Sequence, residues 1–129
     1  MADSAPLSLP TFGLFLNDPD AEEVPAGAVI FAQGDESQET MYAVAAGEID
    51  VMLGTRVVET VPAGGILGEL GLIVNTPRSA TAVARVDSRV VPIDRKRFLF
   101  LTQQHPFFAL FVMETMAART LRLSESRHS

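Results

Sequence analysis

The stretch GILGELGLIVNTPRSATAVA, from Gly65 to Ala84, decides how this chain is interpreted. It places Gly68 and Glu69 ahead of a short apolar run, and a proline ends that run directly before Arg78. Burying an unpaired charge is costly, so Glu69 and Arg78 must face each other or a polar ligand. The segment therefore indicates a binding site set among core residues.

Each part of this segment suits an anion held beside a hydroxyl group. Gly68 permits a positive φ or a close backbone approach. Residues 69–74 are long enough for about one and a half helical turns, and the first N–H groups of such a helix lack partners. Pro77 ends the helix, and Arg78 then offers a fork of donors to phosphate oxygens. Glu69 can only accept hydrogen bonds, which suits a ribose hydroxyl. The pattern predicts a sugar-phosphate site.

The segment resembles the phosphate-binding cassette of the cyclic-nucleotide-binding domain family. That cassette has a Gly-Glu pair, hydrophobic residues, a short gap, and then Pro-Arg followed by small residues. This chain has Gly68-Glu69-Leu70-Gly71-Leu72-Ile73 and then Pro77-Arg78-Ser79-Ala80-Thr81. The turn near Pro25–Asp35 and the hairpin near Met41–Val51 are also similar to the family's, so the likeness covers about residues 24–123. The cassette is far more specific than a lone glycine-rich loop.

The resemblance implies a role for each matching residue. Glu69 is expected to accept the ribose 2′-hydroxyl, and Arg78 to pair with the exocyclic phosphate oxygens. Backbone N–H groups of the cassette complete the anion site, and apolar residues wall the ribose and base. Arg119 is a candidate partner of Glu69. The candidate ligand-binding residues are Val51, Val58, Leu67, Gly68, Glu69, Leu70, Arg78, Ser79 and Ala80.

The same residues also have purely structural interpretations. Glu69 and Arg78 would form an internal salt bridge if the pocket were vestigial. Ser79 suits a strand hydroxyl bonded to the backbone equally well. Relatives often carry Asp-x-Phe ahead of the cassette glycine, whereas this chain has Gly65-Ile66-Leu67, so we expect one pocket-wall aromatic to be absent. In relatives, serine after the cassette arginine leans toward adenine, so Ser79 favours cAMP and leaves cGMP open.

Composition limits the class of protein. The 129 residues suffice for one domain with a sizeable core. The absence of cysteine excludes disulfides and thiolate chemistry. The distant histidines His105 and His128 do not supply a metal cluster, and no nucleophile-elbow pattern is present. We therefore expect no enzyme and no cofactor, with His105 as a helix cap or surface residue.

Charge and hydropathy limit the partners and the location that we expect for the protein. Residues 1–60 hold 11 acids against one base, and residues 61–129 hold 5 acids against 9 bases, consistent with a net charge of −6. A net acidic domain is a poor candidate for binding nucleic acid. The chain has no secretory signal and no membrane-length apolar run. We expect a soluble, cytoplasmic protein that does not contact membranes.

Short β-rich runs separated by glycines fill the middle of the chain, which predicts an antiparallel jelly-roll β-barrel. The predicted strands are Ala28–Ala32, Thr40–Ala45, Glu48–Leu53, Val57–Val61, Ala80–Val86 and Arg89–Ile93. Two C-terminal α-helices follow, from Asp94 or Arg95 to about Gln104 and from Pro106 to about Glu125. The fold class is therefore mainly β, α+β overall. Residues 1–23 are predicted as an N-terminal extension and residues 24–129 as the single domain.

The apolar stripe of the last helix has more than one use. Packing on the barrel accounts for most of its residues, but the stripe is broad enough to close over a ligand base or to pair with a second copy. Bacterial regulators of the catabolite-activator type, which the chain resembles, use this helix as the dimer seam. A DNA-reading helix-turn-helix follows it there, whereas only Ser126–Ser129 follow here. We expect a homodimer as one use of the helix, and no DNA binding by this chain alone.

Two functions from different classes remain. The first is a module that senses a cyclic nucleotide, cAMP or cGMP, without catalysing a reaction, and signals to a downstream protein. The second is a protein-interaction or dimerisation module whose pocket is vestigial.

Overall fold

The computed structural model describes the backbone of residues 9–128 and the side chains of residues 9–122. Within this range, a short 3-10 turn at Gly13–Phe15 precedes the strands and α-helices. The strands are β1 (Glu22–Val24), β2 (Val29–Phe31), β3 (Thr40–Ala46), β4 (Glu48–Leu53), β5 (Arg56–Pro62), β6 (Ile66–Leu67), β7 (Thr81–Ala84) and β8 (Ser88–Asp94). The helices are α1 (Glu69–Val74), α2 (Arg95–Gln104) and α3 (Pro106–His128).

The strands form two antiparallel four-stranded sheets. Their orders are β1-β8-β3-β6 and β2-β7-β4-β5, so strands distant in sequence lie side by side. Such long connections between two sheets are typical of a jelly roll. The predicted fold class, mainly β with two C-terminal helices, is confirmed.

Most predicted strands differ from the observed ones by a residue or two at their ends. Glu48–Leu53 is confirmed to the residue. The prediction of Ala80–Val86 was too long, because β7 ends at Ala84 and the chain then turns. The Oγ of Ser88 donates to the carbonyl of Val86 at 2.8 Å and stabilises that turn. The short strands β1 and β6 were not predicted, since a strand of two or three residues shows no alternation.

The hydrophobic core has two parts. One lies between the sheets and is built from small and branched residues such as Val44, Ile49 and Val90. The other lies between the barrel and the C-terminal helices, where Phe108 of α3 is fully buried. The second part fixes α3 against the barrel, and thereby places its middle turns beside α1 and β5.

The segment before β1 also packs on the second part of the core. Phe15 is 3% exposed, and the ring of Phe12 stacks on Phe111 with centroids 5.2 Å apart. β1 then pairs with β8 from Glu22 onward. The division of the chain into an extension and a domain at residues 23 and 24 stays a prediction. Residues 1–8 of that extension lie outside the described residues.

The last helix carries a second apolar face, as the broad stripe predicted. Phe107, Leu110 and Met113 are 73%, 47% and 59% exposed, while Phe108, Phe111 and Val112 are buried. Side chains from residue 123 onward lie outside the description. Over the described part of the chain, no helix combines the length and apolar character needed to cross a bilayer.

Candidate functional site

A cavity of about 540 Å³ lies between β4 and β5, the cassette helix α1, the segment after it, and α3. Every candidate residue from the sequence lines it: Val51, Val58, Leu67, Gly68, Glu69, Leu70, Arg78, Ser79 and Ala80. This volume is in the usual range for small-molecule sites. The residues that the sequence pattern grouped as one site therefore line one cavity in the structure. Their roles in ligand binding stay a prediction.

Gly68 is required at the start of the cassette helix. Its φ is +77°, and a Cβ atom there would lie 2.7 Å from Nη1 of Arg78. Any side chain would therefore be strained and would also push the arginine away. α1 begins at the next residue, Glu69, and ends at Val74, which confirms the predicted bounds. The glycine thus allows a buried carboxylate and a buried arginine to lie near one backbone turn.

Arg78 is held by backbone carbonyl groups. Its Nη1 donates to Gly68 at 3.1 Å, and its Nη2 donates to Ser37 at 3.1 Å and to Thr40 at 2.7 Å. Its guanidinium carbon lies 4.3 Å from the centroid of the Phe31 ring, a cation–π contact. The residue is 6% exposed. These contacts orient the guanidinium without neutralising its charge.

The charge of Arg78 lacks a direct ionic partner in the described part of the chain. Burial lowers the pKa of the guanidinium, while the charges of Tyr42, Asp35 and Glu69 act in the opposite direction. Arginine nevertheless stays protonated in proteins. Its Nε–H is buried and has no hydrogen-bond partner among the described residues. A buried cation with an unused donor beside a cavity is suited to an anionic ligand.

Glu69 pairs with α3 and not with Arg78. Its Oε1 accepts from Nη1 of Arg119 at 2.6 Å, as the sequence suggested, and the residue is 5% exposed. The alternative of an internal Glu69–Arg78 salt bridge is therefore not observed among the described ion pairs. The acid and the cassette arginine both line the cavity as separate polar groups.

Arg119 is the centre of a partly buried ionic cluster. Its Nε and Nη2 donate to the two carboxylate oxygens of Glu59 at 3.0 and 2.7 Å, and Nη2 also donates to the carbonyl of Ile66 at 2.6 Å. Burial would lower the pKa of Arg119, but the hydrogen bonds to Glu59 and the charges of Glu69 and Glu59 raise it above its ordinary value. Arg122 adds a longer contact, 3.6 Å from Nη1 to Oε1 of Glu59. This cluster joins α3 to β5 and α1.

Sequence reasoning missed Glu59 and Phe31. Glu59 is the one acid in the predicted strand Val57–Val61, and that isolation was the available signal. Phe31 lines the cavity from β2 and supplies an aromatic wall. The aromatic expected to be absent is the one ahead of the cassette glycine, and Phe31 is an aromatic wall residue from a different strand.

Three further residues discussed from the sequence are Ser79, His105 and His128. Ser79 is exposed and precedes β7, and no hydrogen bond of its hydroxyl occurs among the described residues. Its alternative as a backbone-bonded strand hydroxyl is not observed. His105 is exposed, which agrees with its prediction as a surface residue, and it is the C-cap residue of α2, where its backbone N–H donates to the carbonyl of Leu101 at 2.8 Å. His128 lies beyond the described side chains.

A comparison with known families shows which family this fold belongs to. The family model described as "cyclic nucleotide-binding domain" matches residues 21–105, from just before β1 to the end of α2. The chain belongs to the cyclic nucleotide-binding domain family. The cassette and the barrel of this cyclic nucleotide-binding domain lie within the matched range.

Relatives of known identity support this membership. A cAMP-dependent protein kinase regulatory subunit from Eremothecium gossypii is 39% identical over 85 residues, which cover 66% of this chain and 18% of that subunit. The Thermus thermophilus catabolite activator protein is similar with a TM-score of 0.69 and 31% identity, over 83% of this chain and 52% of that protein. The chain therefore spans a small part of the first relative and about half of the second.

A third relative matches the domain over most of both chains. It was solved in work on a cyclic-GMP-dependent signalling pathway that regulates bacterial phytopathogenesis. It has a TM-score of 0.64 and 29% identity, over 81% of this chain and 84% of that one. The similarity thus extends across the barrel and into the C-terminal helices.

Proposed function

We propose that this chain is a non-enzymatic sensing module that binds a cyclic nucleotide in the cavity beside α1. One observation carries the proposal: Glu69 and Arg78 are both buried, line one cavity of about 540 Å³, and are not paired with each other. A cyclic sugar phosphate presents an anion and a hydroxyl close together. A carboxylate and a guanidinium that line one cavity without pairing with each other match that chemistry.

The cavity divides into three parts along such a ligand. Arg78, with the backbone near Ser79 and Ala80, binds the exocyclic oxygens of the phosphate. Glu69 accepts the ribose 2′-hydroxyl. The base lies against the apolar walls that include Val51 and Val58. These side chains are part of the cavity lining, and the assignment of subsites is ours.

The favoured ligand is cAMP, with cGMP as the second candidate. Ser79 follows the cassette arginine, a position at which serine leans toward adenine in relatives. The related kinase regulatory subunit is described as cAMP-dependent, while the third relative comes from work on a cyclic-GMP-dependent pathway. The apolar base wall by itself accepts either purine.

Binding changes the output surface through α3. The bound phosphate orders residues 65–80, and the base and ribose draw the C-terminal helices toward the cavity, which is a shift in population and not a reaction. The exposed face with Phe107, Leu110 and Met113 then meets a second copy of the chain or a downstream protein. Unchanged amide exchange of residues 106–122 on saturation with ligand would contradict this coupling.

The alternative is an interaction or dimerisation module with a vestigial pocket. The exposed apolar face of α3 favours it, because such faces are commonly covered by a partner. This alternative predicts that cyclic nucleotides leave the thermal stability unchanged.

A thermal-shift panel of cyclic mononucleotides and dinucleotides distinguishes the two functions. A ligand that binds only the folded state stabilises it by about 2.7 kcal/mol at a hundredfold excess over Kd. We expect such a shift with cAMP, a smaller one with cGMP, and none with the linear 5′-monophosphates. The absence of any shift at millimolar cyclic nucleotide favours the vestigial pocket.

A further inference from the structure

Glu59 is a partly buried carboxylate, and the phosphate and ribose contacts proposed above give it no role. It lies on β5 and lines the cavity, and its side chain is 10% exposed. Both of its oxygens accept from Arg119, one from Nε and one from Nη2. Burying a carboxylate at a cavity wall is costly unless it is fully paired, and here the pairing is a complete fork.

Arg119 divides its donors unevenly between two acids. Glu59 accepts at both oxygens, whereas Glu69 accepts only at Oε1, over 2.6 Å. Among the residues whose side chains are described, no hydrogen bond reaches Oε2 of Glu69. Each carboxylate oxygen can accept more than one bond. Glu69 therefore keeps acceptor capacity for a ligand although it is already paired with an arginine.

We propose that Glu59 is a positioning residue that holds Arg119 so that Glu69 keeps an oxygen for the ribose 2′-hydroxyl. This inference rests on the proposed function. A guanidinium favours a fork that bonds both oxygens of one carboxylate. With Glu59 present, Arg119 makes that fork with the two oxygens of Glu59 on β5. Without it, Arg119 turns and makes the fork with Glu69, which closes the position that the hydroxyl needs.

Arg122 does not take over this role. Its Nη1 lies 3.6 Å from Oε1 of Glu59, beyond hydrogen-bond distance, and its side chain is 36% exposed. The charge of Glu59 is thus shared between two arginines, and among the ion pairs of the described residues Arg119 is the one that also contacts Glu69. Loss of the Glu59 charge therefore strengthens the hold of Arg119 on the remaining acid.

The test compares two ligands that differ only in the hydroxyl at issue. Calorimetry measures the Kd of cAMP and of 2′-deoxy-cAMP for the wild type and for Glu59→Gln, which keeps the shape of the side chain and removes its charge. Glu48→Gln is the matched control, because Glu48 also lies on a strand and pairs with an arginine, Arg85, but its side chain is 46% exposed and does not line the cavity. Thermal unfolding of each variant checks that the protein is folded.

We expect Glu59→Gln to weaken cAMP about tenfold, the scale of one hydrogen bond to a charged acceptor, and to change 2′-deoxy-cAMP by less than about twofold. Glu48→Gln leaves both values unchanged. An equal loss for the two ligands would overturn the proposal, since it would show that Glu59 supports the cavity in general. An unchanged preference for cAMP over its deoxy analogue would overturn it as well.

A structure of ligand-free Glu59→Gln tests the inference separately from the proposed function. We expect both oxygens of Glu69 to be bonded to Arg119 in that variant. If the wild type binds no cyclic nucleotide, the proposed function fails. The geometry of Arg119 in the Glu59→Gln structure still decides whether Glu59 sets the position of Arg119. An Arg119 that stays on Oε1 alone would refute the positioning role.

Discussion

The Nη1 of Arg119 donates to Oε1 of Glu69 at 2.6 Å, so the last helix of the chain contacts the first residue of the cassette helix. The two residues are 50 positions apart in sequence. Their contact places the C-terminal helix at the cavity wall. In the proposed function, this contact is the route by which a bound ligand acts on α3.

Replacing Arg119 by glutamine should loosen α3. The change leaves Glu59 and Glu69, with side chains 10% and 6% exposed, short of their main cation. Breaking a buried pair on one side costs about 3 kcal/mol. Hydrogen exchange should show lower protection of residues 106–122 than in the wild type. Arg95→Gln, at an exposed position on α2, is the control. Equal protection in both variants would contradict a role of the Arg119 ion pairs in holding α3 on the barrel.

Gly68→Ala should cost more stability than Gly27→Ala. Both glycines have a positive φ, +77° and +87°, so both substitutions strain the backbone by about 1 kcal/mol. At Gly27 the added Cβ meets nothing within 4 Å, whereas at Gly68 it would lie 2.7 Å from Nη1 of Arg78. Urea unfolding gives the two free energies. Equal losses would mean that Arg78 adapts freely and is not fixed by the turn.

Phe107 and Phe108 are neighbours on α3, and replacing each in turn tests which face of the helix packs on the core. Phe108 is fully buried and Phe107 is 73% exposed. Phe108→Ala should cost about 3–5 kcal/mol by opening a cavity in the core. Phe107→Ala should stay within about 0.5 kcal/mol in the monomer. Chemical denaturation at low protein concentration measures both, and a reversed order would show that the helix faces the other way.

The cassette could be predicted from sequence because its determinants are local. Gly68 allows the turn, and α1 occupies residues 69–74 as predicted. Pro77 follows within three residues of that helix. The predicted helix at residues 95–104 was likewise confirmed, since the Asp94 side chain accepts from the backbone of Arg97 as an N-cap.

The ionic cluster could not be predicted in full, because it depends on packing between distant elements. Glu59 is the one acid of its strand, which marks the residue but not its partner, and only the placement of α3 supplies Arg119. Phe31 reaches the cavity through the pairing of β2 with β7. Neither contact leaves a pattern in the nearby sequence. The sequence predicted the cassette and the apolar residues Val51, Val58 and Leu67 that line the cavity, and the fold added Phe31 and the ionic cluster of Glu59 and Arg119.

The most direct measurement is the Kd of cAMP for Arg78→Lys by calorimetry at constant salt. Lysine keeps the positive charge but lacks the planar fork, so the carbonyls of Gly68, Ser37 and Thr40 no longer orient it. Arg85→Lys is the control, because Arg85 is exposed and does not line the cavity. We predict a loss of at least about tenfold for Arg78→Lys and no change for Arg85→Lys. Undiminished cAMP affinity in a folded Arg78→Lys protein would contradict the account.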